Sequence, residues 1–370
     1  MDGTLLESPD RSAMLAALER LVSAESPSLD KARCDACADE VAALFEAQTG
    51  ATTIRHPRQD RGDQLEIRHG EGKQPIVLLC HHDTVWAAGT IARLPFRVDG
   101  NRVTGPGSYD MKAGIVEAAF ALRGARPRRP VTVLSTSDEE IGSGSSRSLI
   151  EETAREAAAV LVLEPAASGG SIKTARKGIA DFLLEVDGRA AHAGVEPEKG
   201  ISAIEELAHQ VLALKALAAV ERGTTINIGV VSGGTRPNVV AAQARAEVDV
   251  RFSVASEAER VVQAIRALQP KLSGARLRIT GGVDRPPMER SAGVVRLAEL
   301  AQRLAKDFGL ALSETSTGGG SDGNFTAALG VPTLDGLGPD GGGAHADSEH
   351  LLIDSWLQRT ILLRRLLEAL

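Results

Sequence analysis

The chain has 370 residues, 43% of them hydrophobic and 25% charged, and a formal net charge of -7, which describes an ordinary globular protein with enough apolar sequence for two cores. The negative balance, with no Lys/Arg stripe interleaved with aromatics, excludes a phosphate-backbone binder, so no nucleic acid partner is expected. The opening MDGTLLESPDRSAML carries acids early and has no basic segment leading into an apolar one. No later run reaches membrane-spanning length either, so no membrane partner is expected and the protein is read as cytoplasmic.

Apolar residues recur with helical period over 10 to 24 and 30 to 48, which predicts two helices. The second carries Cys34 and Cys37, a spacing also used by redox and zinc pairs. No second cysteine pair completes a tetrahedral site, so both are read as small buried hydrophobes, and with Cys80 as the third thiol no disulfide framework is expected. GDQLEIRHG and PIVLLC read as strands, the latter apolar on both faces. The segment GTIARLPFRVDGNRVTGPGSYD reads as turn-rich. It is followed by a helix over MKAGIVEAAFALRGA, the strand VTVLSTS, a helix near 145 to 158 and the strand AVLVLE. Strands alternating with helices predict an α/β layer with a mixed, mostly parallel sheet flanked by helices.

From Gly178 the texture changes to strand, helix, strand, strand, helix, strand, now with the period-two alternation of a sheet that has one open face. That is a self-contained α+β, ferredoxin-like unit. After Arg285-Pro286-Pro287 the first texture returns, with a helix over 292 to 308, the strand PTLDGL and a C-terminal helix from about 352. The expected organisation is therefore a discontinuous domain over 1–177 and 288–370, with residues 178–287 inserted.

Chemistry-bearing residues collect where apolar strands end. In Cys80-His81-His82-Asp83-Thr84-Val85-Trp86, alternate residues share a face, which groups His81 with Asp83 and turns His82 away. A carboxylate beside a ligand histidine holds its far ring nitrogen, although polar residues also simply cap strands. Asp110, in Gly105-Pro106-Gly107-Ser108-Tyr109-Asp110-Met111-Lys112, arrives as a helix begins, where an N-cap is the plain alternative. Asp138-Glu139-Glu140 follows VTVLSTS, and the adjacent Glu139 and Glu140 diverge, so they suit different tasks. Glu164 ends AVLVLE, and His345 follows a glycine run that permits close backbone approach. Two histidines and three carboxylates at one sheet edge suit a pair of divalent ions bridged by one carboxylate. Zinc is best matched to the histidines, with Co2+ or Mn2+ as substitutes.

The motifs H-x-D-T-V, G-x-x-D-x-K-A-G, D-E-E-x-G-S, L-E-P, A-H-A-G and G-G-G-x-D, in this order, resemble those of the M20 metallopeptidase family, most closely its glutamate carboxypeptidase (carboxypeptidase G) type. The resemblance implies a dizinc-exopeptidase-like catalytic domain with an inserted lid that also forms a homodimer, and two Zn2+ per subunit. It implies that Asp110 bridges the ions, with His81 and Glu164 on one and Glu140 and His345 on the other, that Glu139 is the general base and that Asp83 supports His81. A cis peptide usually follows the bridging aspartate in the family. His192 is implied to reach the partner subunit's site and stabilise the oxyanion, while Asn238, Arg251 and Arg285 resemble the clamp on the substrate's free carboxylate. The turn Gly318-Gly319-Gly320-Ser321-Asp322 lacks the Walker lysine; by resemblance it lines the pocket, and Gly319 offers backbone amides to that carboxylate.

Glutamate at position 164 is similar to carboxypeptidase and deacylase members rather than aminopeptidases. Trp86 departs from the proline or tyrosine of many relatives and alters the pocket rim. Basic residues in Ser171–Lys177 offer recognition of an acidic substrate side chain, or the lysines among them are simply exposed on a connector. The expected activity is metal-dependent cleavage of an amide bond next to a free-carboxylate amino acid in a small peptide. The alternatives are an N-acyl amino acid deacylase of aminoacylase or desuccinylase type and, outside catalysis, a metal-binding protein.

Overall fold

The computed structural model describes residues 9–370; residues 1–8, on which the reading of the chain's start partly rests, lie outside the described residues. The chain divides into two compact units. The first comprises the chain up to Ala175 with Arg290–Thr317 and Ser321–Leu370, and the second comprises Arg176–Glu289 with Gly318–Gly320.

The first unit is built on a six-stranded sheet in the order Thr52–His56, Gln64–His69, Val131–Thr136, Ile76–His81, Ala159–Val162, Thr333–Leu334. The last four strands are mutually parallel and the first two pair antiparallel, which gives the mixed sheet expected from the helix-strand alternation. Ile76–His81 shows why the central strands read as continuous apolar runs. Ile76, Leu78 and Cys80 enter the core beneath the helices Arg11–Ser23, Lys31–Thr49, Ala113–Gly124 and Ile353–Ala369, whereas Val77 and Leu79 enter the core on the opposite face with Ile150 and Phe325. Both faces are buried, so only the strand ends are free to carry polar groups.

The helices begin and end where the side chains dictate. Asp10 and Asp30 accept the amides of Ala13 and Arg33 at 3.0 and 3.2 Å, capping the first two helices. Cys34, Cys37, Val41, Leu44 and Phe45 form the buried stripe of the second helix, and all three cysteines are free and buried.

The segment read as turn-rich contains a hairpin, Arg97–Asp99 with Arg102–Thr104, closed by the two-residue loop Gly100-Asn101. Strands of three residues are too short to display alternation, so this element was not legible from the sequence pattern. It is the centre of a second, small sheet: Arg102–Thr104 pairs with His350–Leu352, and His350–Leu352 with Gly341–Gly342. This pairing ties the turn before Asp110 to the loop that carries His345.

In the second unit the order Thr225–Gly233, Gln243–Phe252, Gly178–Asp187, Arg276–Arg285 is antiparallel throughout. That is the order of a ferredoxin-like fold. The helices Ala203–Ala216 and Ala255–Arg266 cover one face over Phe182, Leu184, Leu207, Val248 and Val261. Where the chain enters and leaves this unit, Arg176 and Met288 exchange backbone hydrogen bonds of 2.9 and 3.0 Å.

Candidate metal centre

His81 ends the central strand and is 2% exposed. Its Nδ1 lies 3.1 Å from the Asp83 carbonyl and 3.5 Å from the Asp83 carboxylate; both oxygens can only accept, so Nδ1 carries the proton. His81 Nε2 is thereby aimed outward, 3.3 Å from Glu164 Oε1 and 3.5 Å from Asp110 Oδ1. His82 points to the opposite side, where its Nδ1 meets the Ser135 hydroxyl at 3.0 Å and burial pushes its pKa down to about 4.

Asp110 lies between two triads. One is His81, Asp110 and Glu164, the other Asp110, Glu140 and His345, and within each the potential ligand atoms lie within 4.8 Å of one another. His345 Nε2 is 3.0 Å from Glu140 Oε2 and 3.4 Å from Asp110 Oδ2. The loop that delivers His345 is tight: His345 itself has φ 63°, and at Gly343, φ 74°, a Cβ would stand 2.6 Å from the Ser348 carbonyl carbon. The turn delivering Asp110 is equally constrained, since at Gly107, φ 71°, a Cβ would meet Thr84 Cγ2 at 2.5 Å. The Asp110–Met111 peptide is cis.

The donor set fits divalent cations. His81 Nε2 and Glu140 Oε1 are buried without a hydrogen-bond partner, which costs on the order of 1–3 kcal/mol each unless a cation compensates. The carboxylates act on the imidazoles as they would on a metal. Asp110 and Glu140 push His345 up to about 10; for His81, burial opposes the charge, but Asp110, Asp83 and Glu164 together outweigh it and hold its pKa well above the ordinary histidine value. Burial opposes the charged form of Asp110 too, yet the two imidazoles hold its carboxyl well below the usual range.

A bound metal needs neutral imidazole, so below these raised pKa values protons compete with it and affinity rises with pH. Zinc titrated into metal-free protein at pH 7 is expected to release about two protons, one from each histidine. Titration heats measured in buffers of different ionisation enthalpy check this, and heats independent of buffer contradict it.

Asp83, fully buried, does more than face His81. Its carboxylate accepts the amides of Glu139 and Glu140, each at 3.2 Å, and the Ser28 hydroxyl at 2.7 Å. It thus fixes the short helical turn Glu139–Ile141, which carries both acids. Asp138, the first acid of the run, is turned inward and accepts the Ser145 amide at 2.6 Å. Lys112 Nζ, also buried, donates to the Leu21 and Ala24 carbonyls at 2.8 and 2.9 Å, anchoring the Asp110 turn to the end of the first helix.

His192, Asn238, Arg251, Arg285 and Gly319 lie in the second unit. His192 is exposed on a loop paired with Asn238, whose carbonyl accepts the Ala193 amide at 3.0 Å. Arg251, Ile179 and Arg285 occupy one row across the sheet. Arg251 donates Nε to both Asp249 oxygens, at 3.0 and 2.8 Å. Arg285 is 3% exposed and packs under Gly320, where a Cβ would stand 2.9 Å from its Cδ. Arg176 is buried and donates to the Gly319 and Gly320 carbonyls at 3.3 and 3.1 Å, so it braces the glycine turn and is not an exposed connector residue. The signal for Arg176 was absent from the sequence, because its acceptors are main-chain groups more than 140 residues away.

The profile of peptidase family M20/M25/M40 matches residues 77–369. The chain belongs to this family. Carboxypeptidase G2 of Pseudomonas sp. (strain RS-16) is 31% identical over 371 residues, 97% of this chain and 89% of that protein. Succinyl-diaminopimelate desuccinylase of Dechloromonas aromatica is 30% identical over 80% of this chain and 84% of its own. Among solved structures, the M20 family metallo-carboxypeptidase of Sulfolobus solfataricus aligns at TM-score 0.75 and 16% identity, covering 96% of this chain and 98% of its own. Aminopeptidase PepT of Bacillus cereus aligns at TM-score 0.82 and 23% identity, covering 97% and 98%; at such identities the likeness speaks for the fold. This M20 protein is therefore a metal-dependent hydrolase of the metallopeptidase/amidohydrolase type, and among the described residues no helix is long and apolar enough to cross a membrane.

Proposed function

We propose that this M20 enzyme is glutamate carboxypeptidase-like, releasing a free-carboxylate amino acid by hydrolysis of its amide bond, and that it holds two zinc ions through His81, Asp110, Glu140, Glu164 and His345. The observation that carries the reading is the pair of three-residue ligand sets sharing Asp110 beside a turn that presents Glu139. When bound, the ions would supply Lewis-acid polarisation of the scissile carbonyl and would acidify a water. Glu139 takes a proton from the attacking water as the new C–O bond forms and delivers it to the leaving nitrogen as the C–N bond breaks, and the second water proton follows it to the nitrogen, giving one carboxylate and one ammonium group. Asp83 keeps Glu139 in place and fixes the tautomer of His81.

Arg251 and Arg285, with the Gly319 turn, hold the substrate's free carboxylate, whereas Asn238 lies with the His192 loop at the opposite end of the same strands and joins the clamp only as His192 does, from the partner subunit. The support for the clamp is the arginine row at one end of the sheet, with the glycine turn against Arg285. Glutamate at position 164 favours a carboxypeptidase or deacylase over an aminopeptidase, and the relatives named carboxypeptidase and desuccinylase keep an N-acyl amino acid deacylase as the second reading. A panel of glutamate-terminated peptides, folate-type glutamates and N-acyl amino acids decides between them. The expected result is chelator-sensitive release of glutamate, restored by zinc, and faster turnover of N-succinyl or N-acetyl substrates would transfer the assignment to the deacylase.

The second unit supports a homodimer. Its edge strand Thr225–Gly233 exposes Val230 and Val231, at 46% and 58%, and the helix Ala203–Ala216 exposes Leu212 at 70%. An unpaired apolar edge of this kind is suited to a second copy. In that dimer His192 stabilises the oxyanion of the neighbouring site. His192→Ala is expected to lose rate but not metal. Mixed with an equal amount of Glu139→Ala subunits it should recover about a quarter of the wild-type activity, since half the dimers then hold one complete site. No recovery after subunit exchange would remove His192 from the partner's site.

A further inference from the structure

Glu349 is 3% exposed and lies four residues beyond His345. Its Oε2 accepts the Trp86 indole N–H at 2.7 Å and the Gly107 amide at 3.0 Å. Its Oε1 accepts the Tyr109 and Asp110 amides at 2.9 and 3.1 Å. One carboxylate therefore joins three segments: the loop leaving His81 and Asp83, the turn bearing Asp110, and the loop bearing His345. All four donors converge on an acceptor-only group with two oxygens, an arrangement that among side chains only a carboxylate offers.

We propose that Glu349 is a positioning residue that fixes the Asp110 turn, and through Trp86 the His81 loop, in the geometry at which both triads can hold metal. The proposal rests on the reading of Asp110 as the shared ligand. Asp110 stands 3.4–3.5 Å from both imidazoles, so a shift of its backbone moves one carboxylate out of two sites at once. A misplacement of about 1 Å at such a centre is enough to cost on the order of a hundredfold in rate. Trp86 gains a role by the same contact, since its indole N–H can hydrogen-bond the carboxylate where proline cannot.

The test measures zinc affinity of the metal-free protein by titration, together with kcat, KM and the melting temperature. Glu349→Gln replaces one oxygen by an amide that only donates, setting N–H against N–H. It is expected to weaken zinc binding about tenfold to a hundredfold and to lower kcat with KM unchanged. Trp86→Phe removes one of the four donors, and about threefold weaker zinc binding is expected. In the Trp86→Phe background the Glu349→Gln penalty should shrink, because the two changes touch one interaction.

A Glu349→Gln protein that melts lower yet binds zinc like the parent would show a role confined to folding and overturn the proposal. Should Glu349→Gln not fold, Trp86→Phe decides, and unchanged affinity there overturns it. Asp110→Asn is the control. If that variant binds zinc like the parent, the ligand reading itself has failed, and the inference with it.

Discussion

Asp110→Asn is expected to empty both halves of the centre. The two carboxylate oxygens of Asp110 face different histidines, at 3.5 Å from His81 and 3.4 Å from His345. An amide keeps one weak oxygen ligand, turns two hydrogens toward the other half and removes the negative charge shared by both triads. Zinc content should fall from about two ions per chain to less than one, and activity by on the order of a thousandfold or more. Elemental analysis after dialysis, paired with the hydrolysis assay, reads both quantities. Retention of two ions would show that the pair is held without a shared aspartate. Fold is not at stake in this change, because Asp110 sits at the rim of the core and its turn is held from elsewhere, by Lys112 on the first helix and by Glu349.

Glu139→Ala is expected to have the opposite signature. The backbone amide that Asp83 accepts is kept, so the turn and its neighbour Glu140 stay in place and zinc content should remain that of the parent. What is removed is the group proposed to carry a proton from water to the leaving nitrogen, worth roughly 10²–10⁴ in kcat for a general acid–base. The assay should show kcat falling by that factor with KM little altered. A variant that turned over like the parent would hand the proton transfer to another residue, and one that lost its metal would make Glu139 a ligand.

Metal content is expected to survive Glu139→Ala because Glu140, its neighbour on one short turn, faces the triad with Asp110 and His345 while Glu139 does not. That divergence was visible in the sequence, since consecutive side chains cannot share a direction. The same rule separated His81 from His82, and the sheet obeys it: odd positions of Ile76–His81 face one core and even positions the other. The main sheet and its flanking helices were legible for a related reason, as buried parallel strands are long apolar runs and their ends stand out wherever charge begins.

What escaped was everything held by main-chain partners far away in sequence. The small sheet joining Arg102–Thr104 to His350–Leu352 uses strands of three residues, too few for a period to register. Glu349 is one of two acids in a polar stretch, with Asp347, and its acceptor role emerges only when amides some 240 residues distant are folded against it. Arg176 read as one of several basic residues on a connector, yet two glycine carbonyls claim its guanidinium. Asp83 was expected to serve one histidine and serves a whole turn besides. In each case the residue type was informative but the partner was not, because a backbone amide or carbonyl leaves no mark on composition or periodicity.

The backbone pairing of Arg176 with Met288 closes the base of the second unit. Because the chain departs and returns at hydrogen-bonded neighbours, a few glycines could span the cut ends left by removing Arg176–Glu289 without drawing on any strand of the six-stranded sheet, and only Gly318–Gly320 would lose the unit to which they belong.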